Sequence, residues 1–232
     1  MGRQQSNNIA FYAKSRKEGY KPKSNYVPLN DRVSKEWDIR IDLTNGLTAT
    51  AVVERARSFK DAMVYGLVSG LEFGKSRNDR PSNRGWLQEE EELHVHICLV
   101  TKNPVKRLEA LGMFRPTKTG GEYAVPRKTE HTYAGWRLHH CKDATKVESS
   151  DPIWEYGTLP MDAMNEDVGL KIYYMVRMYG SDIDRQVLKG YTDLGLAKKN
   201  RIRMENKRKA VDDIEQLRAR LAKAEEELAK RN

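Results

Sequence analysis

Cysteine and apolar residues are both scarce in this chain. Among 232 residues there are two cysteines, and hydrophobic residues make up 38%. Cys98 and Cys141 cannot build a disulfide framework, and they fit a reducing compartment. No run of about 18 apolar residues occurs, so the sequence predicts no membrane-spanning helix. Residues 1–20 lack the apolar core of a signal peptide, so we expect an intracellular protein.

Acidic residues are fewer than basic residues in this chain. The chain has 42 Lys and Arg against 33 Asp and Glu, for a net charge of +9. This excess favours a polyanionic partner. Nucleic acid is the first expectation, and an anionic membrane surface is the alternative. The length allows one sizeable domain with extensions, or two small domains.

Residues 1–35 are predicted to form a flexible basic arm. Arg16 and Lys17 lie in it, among other basic residues and interleaved tyrosines. Such a segment can neutralise phosphates and stack on bases. A disordered solubilising tail is an equal alternative.

Residues 36–160 alternate between strand and helix patterns. The predicted order is strand, helix, strand, strand, helix, strand, helix, strand. Residues 63–74 read as one long strand, and Asn103 and Pro104 as the N-cap and first residue of the second helix. The pattern predicts an α+β fold, with a mostly antiparallel five-stranded sheet flanked by helices.

The C-terminal third is predicted to be helical. Residues 161–197 form an extension, and residues 198–232 a basic helix with a short coiled coil. Lys198, Lys199 and Arg201 are the expected nucleic-acid contacts, although a nuclear signal or a solvated helix face are alternatives. Apolar residues then recur at the spacing of a heptad seam, which predicts a homo-oligomer or a protein partner at residues 210–228: Ala210, Ile214, Leu217, Leu221, Ala224 and Leu228.

The segment LHVHICLV, residues 93–100, is the most informative stretch. Side chains on a strand alternate between faces, so His94 and His96 point the same way, away from a core formed by their apolar neighbours. Paired histidines without a metal are the more frequent case. Nevertheless, neutral imidazole is the commonest protein ligand of a metal ion, and a divalent ion gives the pair a use.

A carboxylate strengthens the metal interpretation. Glu72 comes near the end of the preceding strand, and in a hairpin it could lie beside His94 and His96. Glu92, two residues before His94, is a rival. Two imidazoles and one carboxylate suit Mg²⁺, Mn²⁺ or a similar ion acting as a Lewis acid. The sequence therefore predicts a metal-assisted phosphodiester enzyme.

The segment from 130 to 143 is predicted to be a helix. Tyr133, Arg137 and His140 are spaced by four and three residues, so they share one face, and Lys142 follows. A tyrosine hydroxyl can attack a phosphate, and a lysine can stabilise the charge that develops. The alternative for Tyr133 is an aromatic residue that packs the helix on the sheet.

Together these motifs resemble the HUH endonuclease domain of rolling-circle replication initiators (Rep proteins) of small single-stranded DNA viruses and plasmids. The resemblance covers roughly residues 36–160. LHVHICLV matches the family's His-hydrophobic-His motif, WDIRIDLTN (residues 37–45) resembles its first motif, and Glu72 falls where the family places a third metal ligand. The resemblance implies a ferredoxin-like sheet and a divalent metal, Mg²⁺ or Mn²⁺, held by Glu72, His94 and His96.

The family's third motif, Tyr-x-x-Lys, is matched only at its lysine. Lys142 occupies the lysine position, but His139 stands where the tyrosine is expected. Tyr133 is then the first choice as nucleophile, and Tyr174, followed by Arg177 three residues later, is the reserve. The resemblance implies site-specific nicking of single-stranded DNA through a phosphotyrosine intermediate, in the nucleus of a eukaryotic host or otherwise in the cytoplasm. Residues 210–228 could then bind another replication protein. No Walker A sequence occurs.

Two other functions fit parts of the sequence. A non-enzymatic nucleic-acid-binding or packaging protein that oligomerises through its C-terminal helix explains the charge and the tail, but not the two histidines. A metal hydrolase without a covalent intermediate fits the displaced tyrosine.

Overall fold

The computed structural model describes residues 29–75, 91–115, 123–142, 146–149 and 151–230. Most of the predicted basic arm, with Arg16 and Lys17, lies outside these residues. The chain divides into two compact units between residues 161 and 162, and each is described by itself.

The first unit is an antiparallel sheet with helices on both faces. Its helices are α1 (Ala49–Arg57), α2 (Arg107–Gly112) and α3 (Tyr133–His140). The strands run in the order β5-β1-β4-β2-β6, and β3 pairs with β4 beside that path. Their bounds are β1 (Val33–Asp42), β2 (Met63–Val68), β3 (Glu72–Lys75), β4 (Glu91–Lys106), β5 (Tyr123–Pro126) and β6 (Trp154–Gly157).

This architecture confirms the predicted α+β class, with a mostly antiparallel sheet and flanking helices. β1 begins at Val33, inside the segment predicted as an arm, and follows a 3₁₀ turn at Leu29–Asp31. β3 is the strand beyond the five expected. It arises because residues 69–71 interrupt the single strand predicted over 63–74.

The interruption keeps β2 and β3 on the same edge of β4. Ser69 continues the ladder, since its backbone N–H donates to the carbonyl of His96 at 2.8 Å and its hydroxyl accepts from the His96 N–H at 2.9 Å. At Gly70 the chain passes so close to another segment that a Cβ would lie 2.3 Å from the carbonyl oxygen of Ser149.

The helix predicted at Asn103 and Pro104 is wrong at its start. β4 continues to Lys106, and α2 begins at Arg107. The pairing of β1 with β4 jumps from Glu36 opposite Val100 to Ser34 opposite Val105. Pro104 falls within this irregularity, where no ladder hydrogen bond needs its missing N–H, so the proline is accommodated in a strand.

The two faces of the sheet have different cores. One face carries the larger core, in which Val95, Ile97 and Leu99 of β4 pack with buried side chains of β1, α1 and α2. The opposite face carries a smaller apolar cluster, in which Cys98 and Val100 of β4 meet Trp136 of α3. Because side chains alternate along a strand, His94 and His96 lie on this second face, on the same side as α3.

The second unit contains α4 (Glu166–Tyr179), α5 (Asp182–Val187) and α6 (Lys189–Ala229). α4 and α6 approach closely, since a Cβ on Gly195 would lie 2.2 Å from the carbonyl oxygen of Gly169. α6 is continuous through residue 198, where the sequence predicts a boundary. Its side chains from 200 to 227 are exposed. None of the described helices combines the length and hydropathy needed to cross a membrane.

Replacing Gly157 by alanine is expected to destabilise the first unit. Gly157 has φ of +78°, and a Cβ there would lie 2.1 Å from the carbonyl oxygen of Val64 in the neighbouring strand. We expect Gly157→Ala to lower the free energy of unfolding by roughly 3 kcal/mol, from backbone strain and a backbone clash together.

Gly46→Ala is the matched control, because Gly46 has φ of +77° and an added methyl group would meet nothing within 4 Å. It should cost only about 1 kcal/mol, the strain of the left-handed conformation. Urea unfolding of both variants measures the difference, and equal losses would show that β6 can shift away from β2.

Candidate metal centre

Glu72, His94 and His96 converge on the α3 face of the sheet. Pairing of β3 with β4 sets Glu72 directly opposite His94, and His96 follows two residues along β4. The Nε2 atoms of His94 and His96 each lie 3.6 Å from the same oxygen, Oε2 of Glu72. Antiparallel pairing of neighbouring strands thus brings together the three residues that the sequence predicts as metal ligands.

This arrangement fits a divalent cation. A distance of 3.6 Å is too long for a good hydrogen bond, yet one ligand atom from each residue lies within 4.8 Å of the other two. Glu72 and His94 are buried, and the side chain of His96 is 22% exposed. The residues therefore form a group positioned to hold a metal ion, with one side open for further ligands.

A buried lysine already compensates one charge of this group. The ammonium of Lys146 contacts Oε1 of Glu72, and the Lys146 side chain is 1% exposed. Burial disfavours the charge of Glu72, but the neighbouring imidazoles of His94 and His96 and the ammonium of Lys146 hold the pKa of its carboxyl well below its usual range. Glu72 is thus ionised, and a cation bound there would share its carboxylate with Lys146.

His96 is held in the form that binds metals. Burial lowers the pKa of its imidazole to about 3, against the opposing effect of Glu72. Its ring meets that of His94 edge-on, with centroids 5.0 Å apart, and stacks on the ring of His140 at 4.8 Å. At neutral pH the imidazole is uncharged, and a neutral nitrogen is what coordination requires.

A second group of possible ligands adjoins the first. Oδ1 of Asp38 on β1 lies 3.2 Å from Nε2 of His140 at the end of α3. With His96, these residues also bring one ligand atom each within 4.8 Å of one another. Burial opposes the charge of Asp38, but His140 and the neighbouring imidazoles hold the pKa of its carboxyl below the usual value.

Local interactions fix α3 over these residues. Thr132 caps the helix, since its hydroxyl accepts from the N–H of Gly135 at 2.9 Å. Trp136 and Leu138 are buried. Arg137 makes two hydrogen bonds of 2.9 Å to the carboxylate of Glu155 on β6, which also accepts from the hydroxyl of Tyr65 at 2.5 Å. These contacts set the position of His140.

Tyr133, the first-choice nucleophile, lies on the same helix but farther from the imidazoles. Its hydroxyl donates to the carboxylate of Glu36, and the guanidinium of Arg127 covers its ring at 4.0 Å. Burial and the contact with Glu36 raise the pKa of the hydroxyl. His140 comes seven positions after Tyr133, which is about 10 Å along a helix axis.

Lys142 and Tyr174 belong to different compact units. Lys142 follows α3, partly buried, and adds to the effect of burial in lowering the pKa of His139 to about 4. Tyr174 belongs to the second unit, where its side chain is 45% exposed. The side chain of Glu92, the rival ligand, lies outside the described residues.

The predicted nucleic-acid contacts of α6 have partners on α4. Lys198 pairs with Asp167, and Arg201 pairs with Glu166. Lys199 donates to the hydroxyl of Tyr173 at 3.2 Å. These contacts are at the surface of the second unit, so Asp167 and Glu166 already occupy two of the three predicted basic contacts.

Three residues of the centre are not among those that the sequence predicts as ligands or ion partners. Asp38 stands in the strand that resembles the first family motif, and His140 shares a predicted helix face with Tyr133. Their alternation and helical spacing are the signals that could have identified them. Lys146 lies in an irregular segment, where the sequence carries no periodic signal.

Comparison of the sequence with protein-family models finds no match, and no curated protein matches it. Function is therefore inferred from the motifs and from the geometry of the site.

Replacing Lys146 by methionine should strengthen cation binding. The variant removes the ammonium that competes for Glu72, so we expect Mn²⁺ to bind about tenfold more tightly, as loss of one unit charge at contact distance implies. Titration calorimetry measures the affinity. Lys142→Met is the matched control and should change it little. Weaker Mn²⁺ binding in Lys146→Met than in the control would contradict a competing role for Lys146.

Proposed function

We propose that the protein is a metal-dependent endonuclease of the HUH type that cleaves single-stranded DNA, as an initiator of rolling-circle replication does. The observation that supports this most strongly is the convergence of both imidazoles of the His-Val-His strand on one oxygen of Glu72. The net charge of +9 suits a polyanionic substrate. Such an enzyme would act in the nucleus of a eukaryotic host, or otherwise in the cytoplasm.

Each predicted site residue has a distinct role in this reaction. Glu72, His94 and His96 would hold Mg²⁺ or Mn²⁺, which when bound supplies a Lewis acid for a phosphodiester oxygen. Lys142 would stabilise negative charge on the phosphate. The basic arm and Lys198, Lys199 and Arg201 of α6 would hold the DNA backbone through contacts that add affinity without sequence preference.

Tyr133 would be the nucleophile of the covalent route. Its hydroxyl already donates to Glu36, so this carboxylate is placed to take the proton. The tyrosine oxygen would form a bond to phosphorus while the bond to the 3′ oxygen breaks. The products would be a 5′ phosphotyrosyl link and a free 3′ hydroxyl. Glu36 and Asp38 are two residues apart on one strand face, about 7 Å, so Tyr133 would have to move toward the centre.

Hydrolysis by water is the second candidate. It is favoured by the separation of Tyr133 from His140, and by His139 at the position where the family has its tyrosine. In this route a water molecule replaces the tyrosine oxygen, and no covalent link forms.

Cleavage assays with labelled single-stranded DNA and Mn²⁺ test the proposal. We expect His94→Ala to abolish cleavage while DNA binding persists, because the basic segments are distant in sequence from His94. In the covalent route, wild-type protein gives an adduct that resists denaturant, and Tyr133→Phe loses it. Tyr156→Phe is the matched control, since Tyr156 is an exposed tyrosine stacked on Trp154.

Each outcome selects one function. An adduct lost in Tyr174→Phe rather than Tyr133→Phe identifies the reserve nucleophile. Cleavage without an adduct supports hydrolysis. If DNA is bound but no substrate is cut with any divalent ion, the enzyme proposal fails, and the non-enzymatic binding protein is the better account.

A further inference from the structure

Four carboxylates of β1 and β3 lie on the α3 side of the sheet, and three of them have a cationic partner. Glu36 pairs with Arg127 at 2.8 Å. Nε of Arg40 is 2.6 Å from Oδ1 of Asp42, and the ammonium of Lys146 contacts Glu72. No lysine or arginine in the described part of the chain forms an ion pair with Asp38. Its side chain is 33% exposed, and its close neighbour is the imidazole of His140.

One ring nitrogen of His140 is buried without a hydrogen bond among the described residues. The side chain of His140 is 4% exposed. Its Nε2 atom is buried and has no hydrogen-bond partner among the described residues, although Oδ1 of Asp38 lies 3.2 Å away. Burying an unsatisfied nitrogen costs free energy. A ligand that binds Nε2 would remove this cost, and the same ligand would meet the carboxylate of Asp38, which has no lysine or arginine partner among the described residues.

We propose that Asp38, His96 and His140 form a divalent-cation site of their own, beside the group of Glu72, His94 and His96. One ligand atom from each residue lies within 4.8 Å of the other two. Two imidazoles and one carboxylate suit Mn²⁺, Zn²⁺ or Co²⁺. The exposed side of Asp38 leaves room for water or a substrate oxygen. The proposal concerns ion binding alone, so it does not depend on DNA cleavage.

Mn²⁺ binding to the full chain tests this site. Free Mn²⁺ is counted by electron paramagnetic resonance during a titration, which gives both stoichiometry and affinity. We expect Asp38→Asn and His140→Gln each to remove one bound ion or to weaken its binding at least about tenfold. Glu72→Gln should leave that ion in place. His131→Gln is the matched control, because His131 is an exposed histidine of the segment before α3.

Using both Asp38→Asn and His140→Gln separates a loss of ion binding from a loss of folding. Asp38 is partly exposed, so Asp38→Asn is expected to keep the thermal midpoint of the wild type. If Asp38→Asn and His140→Gln bind Mn²⁺ as the wild type does, the site is overturned. It is overturned equally if only Glu72→Gln loses the ion, or if the wild-type chain binds none.

A separate inference concerns the exposed row of apolar side chains on α6. Ile214, Leu217 and Leu221 are 50%, 62% and 60% exposed. Their spacing of three and four residues makes one stripe, which is the contact surface of a coiled coil. Charged residues flank the stripe on both sides. In heptad positions, Asp213 and Arg220 are at g, and Arg218 and Glu225 are at e.

The flanking charges favour a second copy of the same helix. In a parallel pair in register, each g residue faces the e residue five positions later on the other helix. Asp213 then faces Arg218, and Arg220 faces Glu225, so both pairs beside the stripe are attractive. The antiparallel pair that overlaps the whole seam of residues 210–228 sets Arg218 against Arg218 and Arg220 against Arg220. We infer that α6 pairs in parallel and in register with α6 of a second copy of this chain.

Disulfide crosslinking of the full chain tests the orientation. Ile214→Cys should crosslink to itself under mild oxidation, because a parallel pair sets the two residues opposite each other. Ala219→Cys, on the face of α6 opposite the stripe, is the matched control and should give no dimer. The wild-type chain controls for Cys98 and Cys141. No dimer from Ile214→Cys overturns the inference, as does a crosslink that forms only between Ile214→Cys and Ala224→Cys chains.

Discussion

The structure depends on a central strand that is covered on both faces. β4 pairs with β1 on one edge and with β2 and β3 on the other, and from His94 to Thr101 most of its side chains are shielded from water. Val95, Ile97 and Leu99 meet this constraint by apolar packing. His94 and His96 meet it by facing charged and polar partners, since a buried polar group must be satisfied within the protein.

That requirement organises the whole face beneath α3. Three carboxylates lie around the imidazoles, and buried cationic side chains pair with two of them. Arg40 pairs with Asp42 and Lys146 pairs with Glu72, while Asp38 contacts the imidazole of His140. A carboxylate without a lysine or arginine partner favours an added positive ion. The same face is therefore both a structural solution for the central strand and a place where a metal can bind.

The local parts of this arrangement follow from the sequence. Alternation along a strand sets His94 and His96 on one face, and antiparallel pairing of consecutive strands brings Glu72 beside them. The α+β class also follows, because strand and helix periodicities are distinct. The metal-binding roles themselves, and those of Tyr133, Lys142 and Tyr174, remain predictions.

The remaining parts depend on long-range packing that no local pattern encodes. His140 reaches His96 only because α3 is capped at Thr132 and tied through Arg137 to Glu155. Lys146 comes from an irregular segment, and Pro104 sits in a strand because the β1–β4 pairing is irregular there. In each case the tertiary contact overrides what the residue favours in isolation.

Anomalous diffraction from a crystal grown with Mn²⁺ tests the central claim most directly. We predict an anomalous peak within coordination distance, about 2.2 Å, of an imidazole nitrogen of His96, because both groups of ligands share that residue. A well-ordered crystal soaked in Mn²⁺ that shows no peak at His96, with Lys146 still bound to Glu72, would contradict this claim.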